Sequence, residues 1–293
     1  MVGLNKLNPL KRFPSQTSQI TFLYALEVSL LVDFMDDGKI YKQILKRIQE
    51  KGGLAFTVID PPNQEPVTSG KLAKVAEEAG IDAIAVGGSV GAQGELLDNT
   101  ILQVKENCSL PVILFPGNIA SISKHADAIY FMSMLNSLDP YYITGAQTAS
   151  SYPLKKTGLE IIPTSYIIVE PGRAVGWVGR SQPIPRELPY LAGITALAGE
   201  YMGSRLAILE SGGGAPSPAP KEMIAYTKKL IDIPLLVAGG VKNDKYAYDC
   251  VKAGADIVHV GTAVENTSTN FSKAKDVMKK LAVAVTKAGK EKQ

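Results

Sequence analysis

The sequence predicts an α/β fold, a modified TIM (βα)8 barrel forming a single domain with an N-terminal extension. Three observations carry this. Eight short apolar runs recur, near residues 55, 83, 112, 129, 165, 207, 236 and 258. The runs are continuous rather than alternating, as expected of strands buried on both faces of a parallel sheet. Segments with helical spacing separate most of them, and the even spacing of the eight units favours a closed barrel over a doubly wound sheet.

The elements follow in order. Residues 40–51 (IYKQILKRIQEK) repeat apolar positions at helical spacing and stop at Gly52-Gly53. LAFTVID (54–60) is the first strand and ends in Asp60-Pro61-Pro62. A helix near 69–79 leads to IDAIAVGG (81–88), a second strand, and a helix at 93–106 leads to PVILFP (111–116). A short polar stretch leads to DAIYFMSML (127–135). The unit from 135 to 160 holds turn residues and few helix formers, so it reads as an extended segment or loop. EIIPTSYIIVEPG (160–172) is a strand region, 186–201 a helix, and SRLAILESGGG (204–214) a strand ending in glycines. A helix at 219–230, PLLVAGG (234–240), a helix at 243–253, ADIVHVG (255–261) and a last helix from about 263 complete the pattern. The linker-like SGGGAPSPAP (211–220) lies between a strand and a helix, which makes it a loop at the functional face.

Composition bounds the rest. Hydrophobic residues make up 45% and charged residues 20% of 293, enough for a full core. The net charge of +3 gives no ground for a nucleic-acid partner. Cys108 and Cys250 are too few for a disulfide framework and fit a reducing, cytoplasmic setting. His125 and His259 supply neither a His-rich metal site nor a triad, and His259 in its apolar run reads as a hydrogen-bonded core histidine. Residues 1–35 read as an extension, 36–285 as the barrel and 286–293 as a Lys-rich tail, with Met35 a candidate start of the folded domain. The apolar stretch 20–34 contains Glu27 and Asp33 and is too short to cross a bilayer.

In a barrel of this kind chemistry collects at the C-terminal ends of the strands. Gly239-Gly240 and Gly261-Thr262 end the last two strands, where barrels commonly bind phosphate through backbone N–H groups. Each glycine taken alone is equally a turn residue; the pair on adjacent strands suits a phosphate. The glycines at 212–214 extend the site. Glu210 before them is placed to accept from substrate hydroxyls or act as a general base, the alternative being a salt bridge. Asp60 is a lone carboxylate closing an apolar strand. With Ser89 one strand over it suits Mg²⁺, which takes one or two protein carboxylates; otherwise it caps its own loop. Phe131, Met132, Met134, Leu135, Tyr141, Tyr142 and Ile143 are either core or the lining of an apolar groove.

Taken together, FTVIDPPN (56–63), AIAVGGSVG (83–91), ILFPGN (113–118), MSMLNS (132–137), YITGAQ (142–147), YIIVEPGRAVGWVG (166–179), ILESGGGAP (208–216), LLVAGGVKN (235–243) and DIVHVGTAVE (256–265) resemble the geranylgeranylglyceryl phosphate synthases. The resemblance spans about 38–282 and does not reach 1–35. It implies a prenyltransferase that joins the C3 hydroxyl of sn-glycerol 1-phosphate to geranylgeranyl diphosphate, the first committed step towards archaeal ether lipids. It implies Mg²⁺ at Asp60 and Ser89, and a glycerol phosphate site at Leu209, Glu210, Ser211, Gly212, Gly213, Gly214, Gly239, Gly240, Gly261 and Thr262. Glu210 is then the catalytic base, and the protein a homo-oligomer. Ile208 stands where the family usually has Tyr, and serine and glycine are shuffled within 211–214. A neutral barrel with an apolar groove suits work at a membrane surface, helped by the seven lysines of 273–293. The same chemistry on another chain length, as in a heptaprenylglyceryl phosphate synthase, is one rival reading. Others are a phosphate-binding barrel isomerase or lyase and a non-catalytic phosphoglycerol binder.

Overall fold

The computed structural model describes residues 38–265 and 270–292. The expected extension at 1–35, with Met35, lies outside the described residues. Eight parallel strands close a barrel in chain order. They are β1 (Leu54–Ile59), β2 (Ala83–Val86), β3 (Val112–Leu114), β4 (Ala128–Met134), β5 (Glu160–Ile168), β6 (Leu206–Glu210), β7 (Leu235–Ala238) and β8 (Ile257–Val260). β8 closes on β1 through Leu54↔Ile257 and Phe56↔His259. All eight runs expected from the sequence are strands.

Helix α1 (Lys39–Lys51) precedes the barrel, and α2 (Pro66–Glu78) and α3 (Gly94–Asn107) follow β1 and β2. Among the described residues no helix joins β3 to β4, in keeping with the polar stretch there. Then come α4 (Ala146–Thr157), α5 (Arg173–Val178), α6 (Pro189–Tyr201), α7 (Lys221–Leu230), α8 (Asp244–Lys252), α9 (Thr262–Glu265) and α10 (Phe271–Lys292).

Three expectations are corrected. Residues 141–157 are not extended: a π-helical turn, Tyr141–Gly145, runs into α4. Its sequence hides the helix because Ser and Thr are weak helix formers, Pro153 lacks an N–H, and only Ser150 and Leu154 are buried, so no apolar stripe forms. Tertiary contacts fix it instead: Ser133 Oγ donates to Ile143 O at 2.6 Å, and Gln147 donates to Met132 O. The strand region at 160–172 ends at Ile168, and Gly172, at φ 70°, turns the chain into α5. The Lys-rich tail is no tail. Helix α10 runs to Lys292, burying Ala288 and Gly289. Gly289 abuts the backbone of Lys51, Gly52 and Gly53, leaving no space for a Cβ.

Two apolar layers form the core. The inner one fills the barrel with Phe56, Ile113, Tyr130, Ile208 and Leu236. The outer one lies between strands and helices, with Leu72, Ile101, Met223, Val251 and Met278. Helix α1 plugs the N-terminal end: Ile40, Tyr41 and Ile44 join the inner layer. The Glu160 carboxylate accepts from the Ile40 and Tyr41 N–H groups at 2.7 Å each, satisfying helix donors that otherwise lack partners.

The same end carries a repeated device. Asp82, Asp127 and Asp256, just before β2, β4 and β8, accept the N–H of Ala55, Val112 and Leu235 on the preceding strand, at 3.0, 2.8 and 2.9 Å. Each also meets a cation: Arg47 and Lys51 at Asp82, Lys105 at Asp127, Lys228 and Lys292 at Asp256. Removing the buried Asp256 carboxylate leaves the Leu235 N–H without its partner and takes the counter-charge from Lys228 and Lys292. Asp256→Ala should therefore lower unfolding stability by about 2–4 kcal/mol, read as a reduced urea midpoint; an unchanged midpoint would show the device to be dispensable.

Candidate active site

A cavity of about 240 Å³ opens at the C-terminal ends of the strands. Its lining divides by chemistry. Loops after β6, β7 and β8 contribute a polar side with Glu210, Gly213, Gly214, Gly239, Gly240 and Gly261. Asp60 and Ser89 line it after β1 and β2. The side between β3 and α5 is apolar, with Ile119, Phe131, Met132, Tyr142, Leu154 and Val175.

Glu210 ends β6, in register with Ile168 on β5 and Ala238 on β7. It is only 4% exposed. Its Oε1 accepts from Gly212 N at 2.6 Å and its Oε2 from the Tyr166 hydroxyl at 3.3 Å. Burial pushes its pKa up to about 7, with the two hydrogen bonds pulling the other way. Burial and the neighbouring Glu210 carboxylate hold the Tyr166 hydroxyl well above its ordinary range, so it stays a proton donor. Gly239 makes room for this carboxylate. At φ 75° it sits in the left-handed region, and a Cβ there would overlap Glu210 Oε1 and lie 2.6 Å from Gly212 N. Gly213 and Gly214 have open space where a side chain would be, so their backbone is reachable from the cavity.

The loops bearing these glycines are clamped from behind. Arg186 donates to Glu170 O at 3.0 Å, Ser217 Oγ at 3.0 Å and Pro218 O at 2.7 Å. Ser217 and Pro218 in turn press on Gly240, where a Cβ would lie 2.7 Å from Pro218 N.

Asp60 Oδ2 accepts from Asn63 Nδ2 at 3.2 Å. Gly88 has no space for a Cβ because the Asp60 carboxylate lies against it, next to Ser89. No group of three or more His, Cys, Asp or Glu side chains gathers among the described residues. A carboxylate and a hydroxyl on neighbouring strand ends, both lining the cavity, would suit Mg²⁺, which completes its shell with water and substrate oxygens. They do not suit a closed transition-metal cage.

The floor is aromatic. The Phe115 ring meets Tyr130, Tyr166 and His259 edge-on, with centroids 5.8, 5.8 and 5.3 Å away. His259 Nε2 lies 3.2 Å from the Tyr130 hydroxyl, and burial drives its pKa down to about 3, so it is a neutral core histidine.

Not every residue expected in the site faces the cavity. Leu209 points into the outer core layer, and Ser211 and Gly212 are buried behind the lining. Gly212, at φ 94°, backs onto Gly172 O and Arg173 Cβ, each 2.6 Å from where its Cβ would stand, and serves the site through its N–H. The Thr262 hydroxyl lies outside the described atoms. Of the expected groove, Phe131, Met132, Met134, Tyr141 and Tyr142 line the cavity. Leu135 instead faces Gly199 on α6, and Ile143 contributes its carbonyl to Ser133. Tyr166, Arg186 and Lys242 escaped the sequence reading because none ends a strand in a glycine motif.

The PcrB family model matches residues 46–281. The chain belongs to the PcrB family. It is 53% identical over 232 residues to the geranylgeranylglyceryl phosphate synthase of Pyrococcus horikoshii, covering 79% of this chain and 91% of that protein. The crystal structure of (S)-3-O-geranylgeranylglyceryl phosphate synthase from Thermoplasma acidophilum, in complex with substrate sn-glycerol-1-phosphate, superposes with TM-score 0.79 at 34% identity, covering 84% of this chain and 97% of that one. The Thermoplasma volcanium enzyme gives TM-score 0.79 at 40% identity, covering 83% and 98%. In this PcrB protein a tyrosine hydroxyl does reach Glu210 despite Ile208, from Tyr166 across the β5–β6 register.

The Glu210 environment has a thermodynamic signature. Its folded pKa, about 7, exceeds the unfolded value near 4.3, so the folded state binds the extra proton and stability falls as pH rises between them. Glu210→Gln should accordingly be more stable than the parent by about 2–4 kcal/mol at pH 8, and by little at pH 4.5. Thermal melts at the two pH values check this; an equal shift at both would contradict it.

Proposed function

We infer that this protein is a prenyltransferase of the PcrB family that joins the C3 hydroxyl of sn-glycerol 1-phosphate to geranylgeranyl diphosphate, releasing diphosphate. The relatives named above carry this activity in their names. The observation in this chain that supports it most directly is one buried carboxyl, Glu210, poised near neutrality between open glycine loops and an apolar chamber.

The glycine loops after β6, β7 and β8 hold the phosphomonoester through backbone N–H groups. That anchor fixes the C3 hydroxyl against Glu210, and positioning of this kind is worth up to about 7–11 kcal/mol. The apolar side receives the prenyl chain and keeps water from the allylic carbon. Asp60 and Ser89 would hold Mg²⁺, which would supply charge neutralisation for the departing diphosphate. As the C1–O bond breaks, its electron pair leaves with diphosphate. The C3 oxygen bonds to C1, and its proton passes to Glu210 Oε1 or Oε2. Tyr166, as a donor, steadies the ionised carboxylate before transfer.

The product is amphiphilic, so we place the working enzyme in the cytoplasm at a membrane surface, as a homo-oligomer. No helix among the described residues is long and apolar enough to cross a membrane. At the far end of α10, Lys292 pairs with Asp256 at 3.0 Å, so this lysine ties the helix to the barrel.

The decisive assay supplies Mg²⁺, sn-glycerol 1-phosphate and prenyl diphosphates of several lengths. Ether product from the geranylgeranyl substrate is expected. Activity should rise with pH through about 7 as Glu210 ionises. Glu210→Gln should lose about 10²–10⁴-fold in kcat and flatten that rise. Asp60→Ala should raise the Mg²⁺ requirement. An undiminished rate in either variant removes that residue from the mechanism, and absence of any ether product removes the function.

A further inference from the structure

The cavity has a charge imbalance. For the function inferred above it must take a phosphomonoester and a diphosphate, yet among the described residues its lining carries two carboxylates, Asp60 and Glu210, and one cation, Lys242. His259 adds nothing, being neutral. On the function inferred above, Asp60 and Ser89 would place Mg²⁺ on the diphosphate side. The phosphomonoester side is otherwise served by uncharged backbone dipoles.

Lys242 is placed to correct this. It lies two residues beyond Gly240, on the loop between the glycines of β6 and β8. Its neighbours fix its backbone. Val241 is 5% exposed and packed in the outer core layer. Asn243 caps α8, its Oδ1 accepting from Tyr246 N at 2.8 Å. Between these anchors Lys242 is exposed at the cavity, and among the described residues no carboxylate is paired with it. Lys51, Lys228 and Lys292, by contrast, are each paired with an aspartate at the N-terminal end. A lysine is a mobile point charge on a flexible stem, able to follow a phosphate that the backbone has already oriented.

We propose that Lys242 is the cation of the phosphoglycerol subsite, selecting the charged phosphomonoester over uncharged glycerol. This rests on the function inferred above and adds a specificity-determining residue to the same site. The ammonium sits outside the glycine loops and pairs with phosphate oxygens those loops leave to solvent. Because it is exposed, its contribution is screened by salt, unlike that of the backbone amides.

Calorimetric titration of sn-glycerol 1-phosphate into the full chain tests this without turnover. Lys242→Met should raise Kd about tenfold, the usual loss for one charge-assisted hydrogen bond, and Lys242→Arg should recover most of it. Between low and high salt, the wild-type Kd should rise more steeply than that of Lys242→Met. In the coupled assay the KM for glycerol phosphate should follow the Kd, while the KM for prenyl diphosphate stays fixed. If the wild type binds glycerol phosphate and Lys242→Met binds it equally well, the proposal fails and the function stands. A KM change confined to prenyl diphosphate would assign Lys242 to the other anion and also overturns it. No binding by the wild type would bring down both readings.

Discussion

The site depends on keeping one carboxyl dry at the end of a barrel strand. A buried carboxylate is costly to ionise, and Glu210 is held near neutrality by the balance between that cost and the Gly212 and Tyr166 hydrogen bonds. The balance needs close packing. Gly239 lies against Oε1 with no side chain between, so water has no space there and the Gly212 N–H can reach the carboxylate. A base whose pKa sits near the working pH is the most effective one for accepting a hydroxyl proton. The dry surroundings that set that pKa are continuous with the chamber that suits a prenyl chain. One desolvated volume thus sets the pKa of the carboxyl and, in the function proposed, would exclude competing water.

The barrel separates what holds it together from what it does. Its N-terminal end is crowded with charge that is used up internally: three aspartates tie neighbouring strands, and Glu160 caps α1. Its C-terminal end replaces such ties with glycines, which leave backbone groups available to a ligand. The loops carrying those glycines would wander without support, and Arg186 supplies it by joining the loop after β5 to the loop after β6. The clamp stands behind the loops rather than in the cavity. Among the described residues, Lys242 is then the positive charge on the cavity side.

Much of this was legible in the residues. The strands announce themselves because a parallel barrel buries both faces, leaving uninterrupted runs such as AIAV and LLVA. Asp60, Glu210 and the glycine pair stand out because polar or tiny residues interrupt those runs where strands end. Helix α4 did not stand out, because its helicity comes from contacts to β4 rather than from its own propensity. The inward or outward sense of Leu209 and Ser211 follows from strand alternation. A resemblance carried over as a continuous stretch ignores that alternation and over-counts the cavity lining. Tyr166 was invisible for another reason: it meets Glu210 only through the β5–β6 register, which pairs it with Ile208 across a gap of more than forty residues.

That register bears on how far a site can be read by position. The departure at Ile208 looks in sequence like a lost hydroxyl. In the barrel, residue 208 is wholly buried within the inner layer, which also holds its register partner Tyr166. Tyr166 sits beside it on β5, lines the cavity, and reaches the carboxylate with its hydroxyl. An isoleucine at 208 therefore keeps the inner layer apolar while the neighbouring strand satisfies Glu210. A buried carboxylate is stabilised by a donor, and here the neighbouring strand β5 supplies it.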